Sequence, residues 1–245
     1  MELRLLALYP GQMNIYADRG NILFLRRRCE WRGIGFDYAE AGPGDGLDPG
    51  AHDFVYIGGG QDRDQRLVAG DMVATKREGL AAAVEDGAVV LAVCGGYQLL
   101  GHSYQLGEER IKGLGLADLE TVREEGPRLI GNVAIEADLG PGPMIVAGFE
   151  NHGGRTYLGS EARPLGRVLK GHGNNGKDGR EGVRRLNMFG TYLHGPLLPK
   201  NSALADRLIA LAIARRQGAA PELEPLEDSF EMAASASARA AAGVR

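Results

Sequence analysis

Val89-Val90-Leu91-Ala92-Val93-Cys94-Gly95-Gly96-Tyr97-Gln98 is the stretch that decides the fold. Its apolar run without alternation describes a strand covered on both faces, as strands of parallel sheets are. The run ends on a cysteine, two glycines follow, and a helical pattern opens. A bend this sharp needs small neighbours, and it lifts the cysteine side chain into the crevice at the carboxyl end of the strand, where open α/β sheets place their sites. At the start of the helix, dipole and backbone amides favour thiolate over thiol, and the Gly95 N–H is placed to stabilise an oxyanion. A lone cysteine in an apolar run usually only packs; the Gly95-Gly96 flank makes Cys94 a candidate nucleophile.

Upstream of this stretch, residues 3–9 read as a buried strand ended by Pro10-Gly11, and 21–32 as a helix closed by Gly33. Residues 35–39 form a short strand, 43–49 a Gly/Pro/Asp loop, and 53–57 a third strand running into Gly58-Gly59-Gly60. The spacing predicts a helix over 71–86, stopped by Gly87. Strands alternating with helices mean a parallel sheet. Beyond Gly101 the strand-like runs 130–135, 144–149 and 166–169 are joined by turns without helices, which predicts an antiparallel or mixed portion. A last strand covers 188–193 and a last helix 203–215, with Leu204, Leu208 and Leu211 on one side. The expected architecture is α/β, with a mainly parallel central sheet flanked by helices and an antiparallel second portion, in one domain over 1–217. Residues 218–245, rich in Ala, Glu and Ser, are expected to be a flexible or partner-docking tail.

The chain has 245 residues, a length that fits one α/β domain with a full core. Its 28 Lys+Arg against 32 Asp+Glu give a net charge of −4, and the one basic cluster, Arg26-Arg27-Arg28, lies inside a helical pattern. Nucleic-acid binding is therefore disfavoured, because it rests on clustered cations that release counterions. The longest apolar run, 88–94, is far below the roughly 18 residues of a membrane span, and the opening MELRLLALYP is too short and polar for a signal peptide. A cytoplasmic, soluble protein is expected. The two cysteines, Cys29 and Cys94, match no zinc spacing and are read as free thiols.

A second strand end, Val55-Tyr56-Ile57-Gly58-Gly59-Gly60, offers backbone amides with no side chain to block a ligand, and makes Gly59 and Gly60 candidates for the other oxyanion donor. No G-x-G-x-x-G opens a helix and no Gly-Lys-Ser/Thr occurs, so dinucleotide and P-loop devices are not indicated. A thiol nucleophile needs a base, and five histidines are available. His194 ends the strand Phe189-Gly190-Thr191-Tyr192-Leu193 and precedes Gly195-Pro196, so it too sits at a strand end beside a turn. His152, in Phe149-Glu150-Asn151-His152-Gly153-Gly154, is its competitor.

Cys94-Gly95-Gly96-Tyr97-Gln98 and Gly190-Thr191-Tyr192-Leu193-His194-Gly195 resemble the signature of class I, triad-type glutamine amidotransferases of the cobyric acid synthase-like branch, a flavodoxin-like α/β domain. More narrowly, Met13-Asn14-Ile15-Tyr16-Ala17-Asp18-Arg19-Gly20-Asn21, Gly58-Gly59-Gly60-Gln61-Asp62, Gly148-Phe149-Glu150-Asn151-His152-Gly153-Gly154-Arg155-Thr156 and Gly171-His172-Gly173-Asn174-Asn175 are similar to the glutaminase subunits of lipid II isoglutaminyl synthases. The resemblance covers about residues 3–215. It implies that Cys94 attacks the side-chain amide of glutamine to give a glutamyl thioester and ammonia while His194 shuttles the proton. Arg128 matches the position that holds the substrate α-carboxylate, a task suited to a guanidinium fork, and Gln98 is a further expected substrate contact. It also implies a heterodimer with a Mur-ligase-like synthetase, which carries ATP and magnesium, reaches lipid II and amidates the D-glutamate of its stem peptide. No cofactor or metal is expected on this chain.

The sequence departs from the family at one point: many relatives carry His-x-Glu, whereas Gly195 and Pro196 follow His194. The third triad member is absent, supplied by Glu150 or Asp18, or donated by the partner subunit, the last being favoured. Cobyric-type synthases carry an ATP-binding domain ahead of the amidotransferase, while this chain opens on the first strand, which favours a separate partner. A stand-alone glutaminase and a non-catalytic regulatory subunit are the remaining alternatives.

Overall fold

Strand β4 (Val89–Val93) is buried at every residue and pairs in parallel on both sides, as its apolar run requires. The computed structural model describes residues 1–15, 19–140 and 142–244. The first half runs β1 (Glu2–Leu8), α1 (Arg19–Glu30), β2 (Gly35–Ala41), β3 (Phe54–Ile57), α2 (Asp62–Asp71), a π-helical turn at Met72–Lys76, α3 (Arg77–Glu85), β4 and α4 (Gly95–Leu100). Then come β5 (Ser103–Leu106), β6 (Glu109–Lys112), β7 (Leu119–Arg123), β8 (Leu129–Asp138), β9 (Pro143–His152), β10 (Gly154–Leu158) and β11 (Gly166–Lys170). The chain closes with β12 (Arg180–Glu181), β13 (Val183–Arg185), β14 (Met188–Thr191), α5 (Ser202–Gln217) and α6 (Ser229–Ala241).

The central six-stranded sheet has the order β13-β14-β4-β3-β1-β2 and is parallel except at its β13 edge. Two four-stranded sheets, β10-β7-β5-β6 and β12-β11-β8-β9, are built mostly from antiparallel pairs. The expected division into a parallel core and an antiparallel second portion is what the structure shows. Helix α1 buries Ile22, Leu25 and Cys29 on one stripe, and α5 buries Leu204, Leu208, Ile209, Ala212 and Ile213. The two helices pack on each other, with α5 lying against β1 and β4. Gly218, at φ 80°, ends α5 by returning its N–H to the Ala214 carbonyl.

One stretch differs from the sequence reading. The helix expected over 71–86 begins at Asp62 and passes through the π-turn, because its first segment buries only Gln65, Val68 and Ala69 and so lacks an apolar stripe. The π-turn carries Lys76 inside, where Nζ donates to the Asp45 carbonyl, Asp71 and Thr75. Within 218–245, read from sequence as a flexible or partner-docking tail, Ser229–Ala241 form helix α6, which contacts β8 and β9. No residue of α6 itself is buried, in keeping with its composition; it is held by an Arg28–Asp228 ion pair, by Asn132 donating to the Ala241 carbonyl, and by small-residue packing of Ala242 on Ala134 and Ala147. Arg28, read from sequence as one of three helical arginines, is fully buried between Asp206 and Asp228. No helix among the described residues is long and apolar enough to cross a membrane.

Candidate active site

Three strand ends build the site: Cys94 after β4, Gly58-Gly59-Gly60 after β3 and His194 after β14. All three lie at the carboxyl edge of the parallel sheet. Cys94 is the N-cap of α4 with φ 51° and ψ −106°, in the left-handed half of backbone space that a non-glycine residue occupies only under constraint. Its N–H donates to the Thr191 carbonyl at 2.8 Å and its carbonyl accepts from Gln98 N–H at 3.1 Å, so the elbow is pinned on both sides.

The glycines are there because nothing else fits. A Cβ on Gly95 would lie 2.8 Å from both the N and the O of Gly60, and one on Gly96 would lie 2.7–2.8 Å from Ile57 and the Gly58 carbonyl. The Gly96 N–H donates to the Gly58 carbonyl at 3.2 Å. The two glycine turns are thus in backbone contact, and Gly60 lines the same cavity as Cys94. Met13 lies under Gly60, where a Cβ would meet its Sδ at 2.5 Å, and the Ile15 N–H donates to the Gly59 carbonyl.

Cys94, Gly60, Gln98 and Arg128 line one cavity of about 310 Å³, together with Ile15, Gln61, Asp62, Arg63, Gln65, Tyr104, His152 and Gly153. Four of the predicted residues therefore share a wall. Gln98 accepts from Gln65 Nε2 at 2.9 Å and donates to the Tyr192 hydroxyl at 3.1 Å. Arg128, in the loop before β8, donates from Nε and NH2 to the side chain and carbonyl of Asn151, each at 2.7 Å.

His194 is buried, and its backbone bridges to Phe149 in both directions, fastening the end of the central sheet to β9. Burial pushes its pKa down to about 4, reinforced by His152 and Lys200 and opposed by the charge of Glu150. A neutral imidazole at neutral pH is the form a general base requires. His152 stacks flat on the Tyr192 ring at 3.6 Å, with Nδ1 2.8 Å from the Gly154 carbonyl. Among the described residues of the cavity wall it is the histidine.

Glu150 is fully buried; it accepts from His172 N–H and Nδ1 and from the Gly173 N–H, and its Oε2 lies 3.8 Å from His152 Nε2. Burial raises its pKa, but His152 and His172 outweigh that and hold it below the usual carboxylate range. Its charge reaches His194, while its oxygens serve the turn at His172-Gly173. Asp18, the other intramolecular candidate, lies outside the described residues. Behind the catalytic strand, Glu181 is fully buried and accepts from the Thr191 hydroxyl and the Tyr192 N–H; burial pushes its pKa up to about 8.

Sequence reasoning did not find Gln65, Tyr104 or Glu181, which come from a helix segment and short strands with no apolar rhythm. Among the described residues no group of three or more His, Cys, Asp and Glu side chains is placed to hold a metal ion.

Comparison with known proteins agrees with this geometry. Residues 4–202 match the model of the CobB/CobQ-like glutamine amidotransferase domain. The GatD subunit of the glutamine-hydrolysing lipid II isoglutaminyl synthase of Streptococcus pneumoniae is 39% identical over 228 residues, covering 93% of this chain and 86% of that protein. Its counterpart from Staphylococcus aureus is 40% identical over 216 residues, covering 88% and 86%. The cobyric acid synthase of Pelotomaculum thermopropionicum is 35% identical over 170 residues, but the match spans only 31% of that protein. Among solved structures, PurLQS from Thermotoga maritima shares the fold, with a TM-score of 0.58 at 18% identity over 89% of this chain and all of that one. With a pinned cysteine elbow, a neutral histidine and a shared wall of glycines behind these matches, the chain belongs to the CobB/CobQ-like glutamine amidotransferase family, alongside the GatD subunits, and is a glutamine-hydrolysing amidotransferase.

Proposed function

We propose that this chain is the glutaminase subunit of a lipid II isoglutaminyl synthase. In this reading the Cys94 thiolate attacks the side-chain amide carbon of L-glutamine, and the oxyanion is met by backbone N–H groups of the Gly59-Gly60 and Gly95 turns. His194 takes the thiol proton and gives it to the departing nitrogen, which leaves as ammonia. Water, deprotonated by the same imidazole, then cleaves the thioester and releases glutamate. Arg128 holds the α-carboxylate, and Gln98, tied to Gln65 and Tyr192, shapes the wall beside it.

Ammonia passes to a Mur-ligase-like partner, which uses ATP and magnesium to activate the D-glutamate α-carboxyl of the lipid II stem peptide, so the pair acts in peptidoglycan synthesis as a heterodimer. The observation that carries this choice of acceptor is coverage: the match to the GatD subunits spans 86% of their length, against 31% of a cobyric acid synthase. In this reading the partner also supplies the group that orients His194, while the oxygens of Glu150 serve the His172-Gly173 turn.

The test is glutamate release from glutamine by the wild type and Cys94→Ala, alone and with the Mur-ligase-like protein of the same organism. Release lost in the variant and strongly raised by the partner supports the proposal. Equal rates with and without the partner remove the partner-supplied orienting group, and an inert wild type in both conditions returns the choice to cobyric-type acceptors.

A further inference from the structure

The segment Asn151-His152-Gly153-Gly154-Arg155 spans the end of β9 and the turn into β10, and two of its side chains reach the short loop before β8. Strand β8 starts at Leu129, paired with His152, and Ile130 pairs with Asn151. Arg128 therefore stands one residue before the ladder, within reach of Asn151 across the hairpin. Asn151 takes the Nε and NH2 edge of Arg128 with its side-chain and main-chain oxygens, both at 2.7 Å. The neighbouring NH1–NH2 edge of the planar fork is turned away from Asn151, and such an edge is what a carboxylate engages in a bidentate pair.

From beneath, buried Arg155 donates to the Gly153 carbonyl at 3.0 Å and to the Pro127 carbonyl at 2.8 Å. The peptide that precedes Arg128 is thereby fastened to the same β9–β10 turn. An exposed arginine has several rotatable bonds, and freezing them before the substrate arrives removes an ordering cost from binding.

We infer that Asn151, backed by Arg155, is a positioning residue that fixes the Arg128 fork for the substrate α-carboxylate. This rests on the reading that Arg128 is the group that meets that carboxylate. Asn151 acts only through Arg128, which separates it from residues that touch the reacting amide. Losing the charge-assisted bond that the Asn151 side chain accepts, with the main-chain one kept, changes affinity by about tenfold.

The experiment is a double-mutant cycle on the full chain, with Asn151→Ala, Arg128→Ala and the pair, reading KM and kcat for glutamine with the Mur-ligase-like partner present. L-Glutamine binding to the same set in a Cys94→Ala background, by calorimetry, gives the cycle without turnover. Asn151→Ala is expected to raise KM about tenfold with kcat within twofold, and the double variant to match Arg128→Ala. Asn151→Ser replaces it if the alanine variant does not fold. If Arg128→Ala raises KM while Asn151→Ala does not, or if the two losses multiply, the positioning role is overturned and the Arg128 reading survives. If Arg128→Ala leaves both KM and binding unchanged, the Arg128 reading falls and this inference falls with it.

Discussion

Gly95→Ala is the sharpest test of the two-turn site. The added Cβ would sit 2.8 Å from the Gly60 N and O, whereas ordinary contact begins at 3.4 Å, so the backbone of one turn must retreat by 3.4 − 2.8 = 0.6 Å. The atoms in the way are main chain, so no side chain can swing aside, although Gln65 Nε2 at 3.0 Å can yield. A displacement approaching 1 Å of a group that meets the transition state costs on the order of 10²-fold in rate. We therefore expect kcat to fall roughly 10- to 100-fold, or about 1.4–2.7 kcal/mol in barrier, alongside an overpacking cost of about 1–3 kcal/mol in stability. Steady-state glutamate release gives the first number and urea unfolding the second. Gly11→Ala, with nothing within 4 Å of its new Cβ, is the control and should move neither. A Gly95→Ala protein that keeps kcat within twofold would show that the Gly60 turn does not contact the developing charge.

Four further outcomes follow from charge and burial. Since burial holds His194 near a pKa of about 4, the acid limb of kcat/KM, which reports the free enzyme, should fall close to pH 4 rather than near 6.5, and a limb at 6.5 would mean the imidazole is solvated. Because its folded pKa is depressed, His194 also adds stability at neutral pH that is lost as pH falls from 6.5 through about 4. Glu181, raised from 4.5 to about 8, has the opposite sign: its contribution is complete below 4.5 and fades as pH rises through 8, so Glu181→Gln should flatten the stability–pH curve in that window while keeping the fold. Asp228→Ala leaves buried Arg28 with Asp206 alone and should cost about 1.5–3 kcal/mol by urea unfolding; a midpoint unchanged within error would show that α6 is not held by this pair.

What the sequence made legible was local. The apolar strand, the cysteine and the two glycines are contiguous, so their geometry follows from packing limits that act over a few residues, and the same holds for His194 at the end of β14. Arg128 meeting Asn151 is a contact between residues 23 apart, set by the register of β8 on β9, and no periodicity announces it. Gln65 bonding to Gln98 across 33 residues is similar: a glutamine on an otherwise polar helix looks solvated until the fold buries it. Helix α6 escaped because its contacts are an ion pair and small alanines, which composition cannot distinguish from a loose tail. The one reading that tertiary structure displaced was the start of the 71–86 helix, where burial of Gln65 and Lys76 through hydrogen bonds replaced the apolar stripe.

The backbone of Cys94, held at φ 51°, has an evolutionary consequence. Glycine is the replacement that relaxes this turn without a steric cost, so backbone strain at this position favours a form that has lost its chemistry. Selection for endurance alone would erase the nucleophile, and a consensus or stability-driven redesign should leave residue 94 untouched. A Cys94→Gly chain that melts above the parent would measure, in degrees, what the organism gives up to keep a sulfur at that corner.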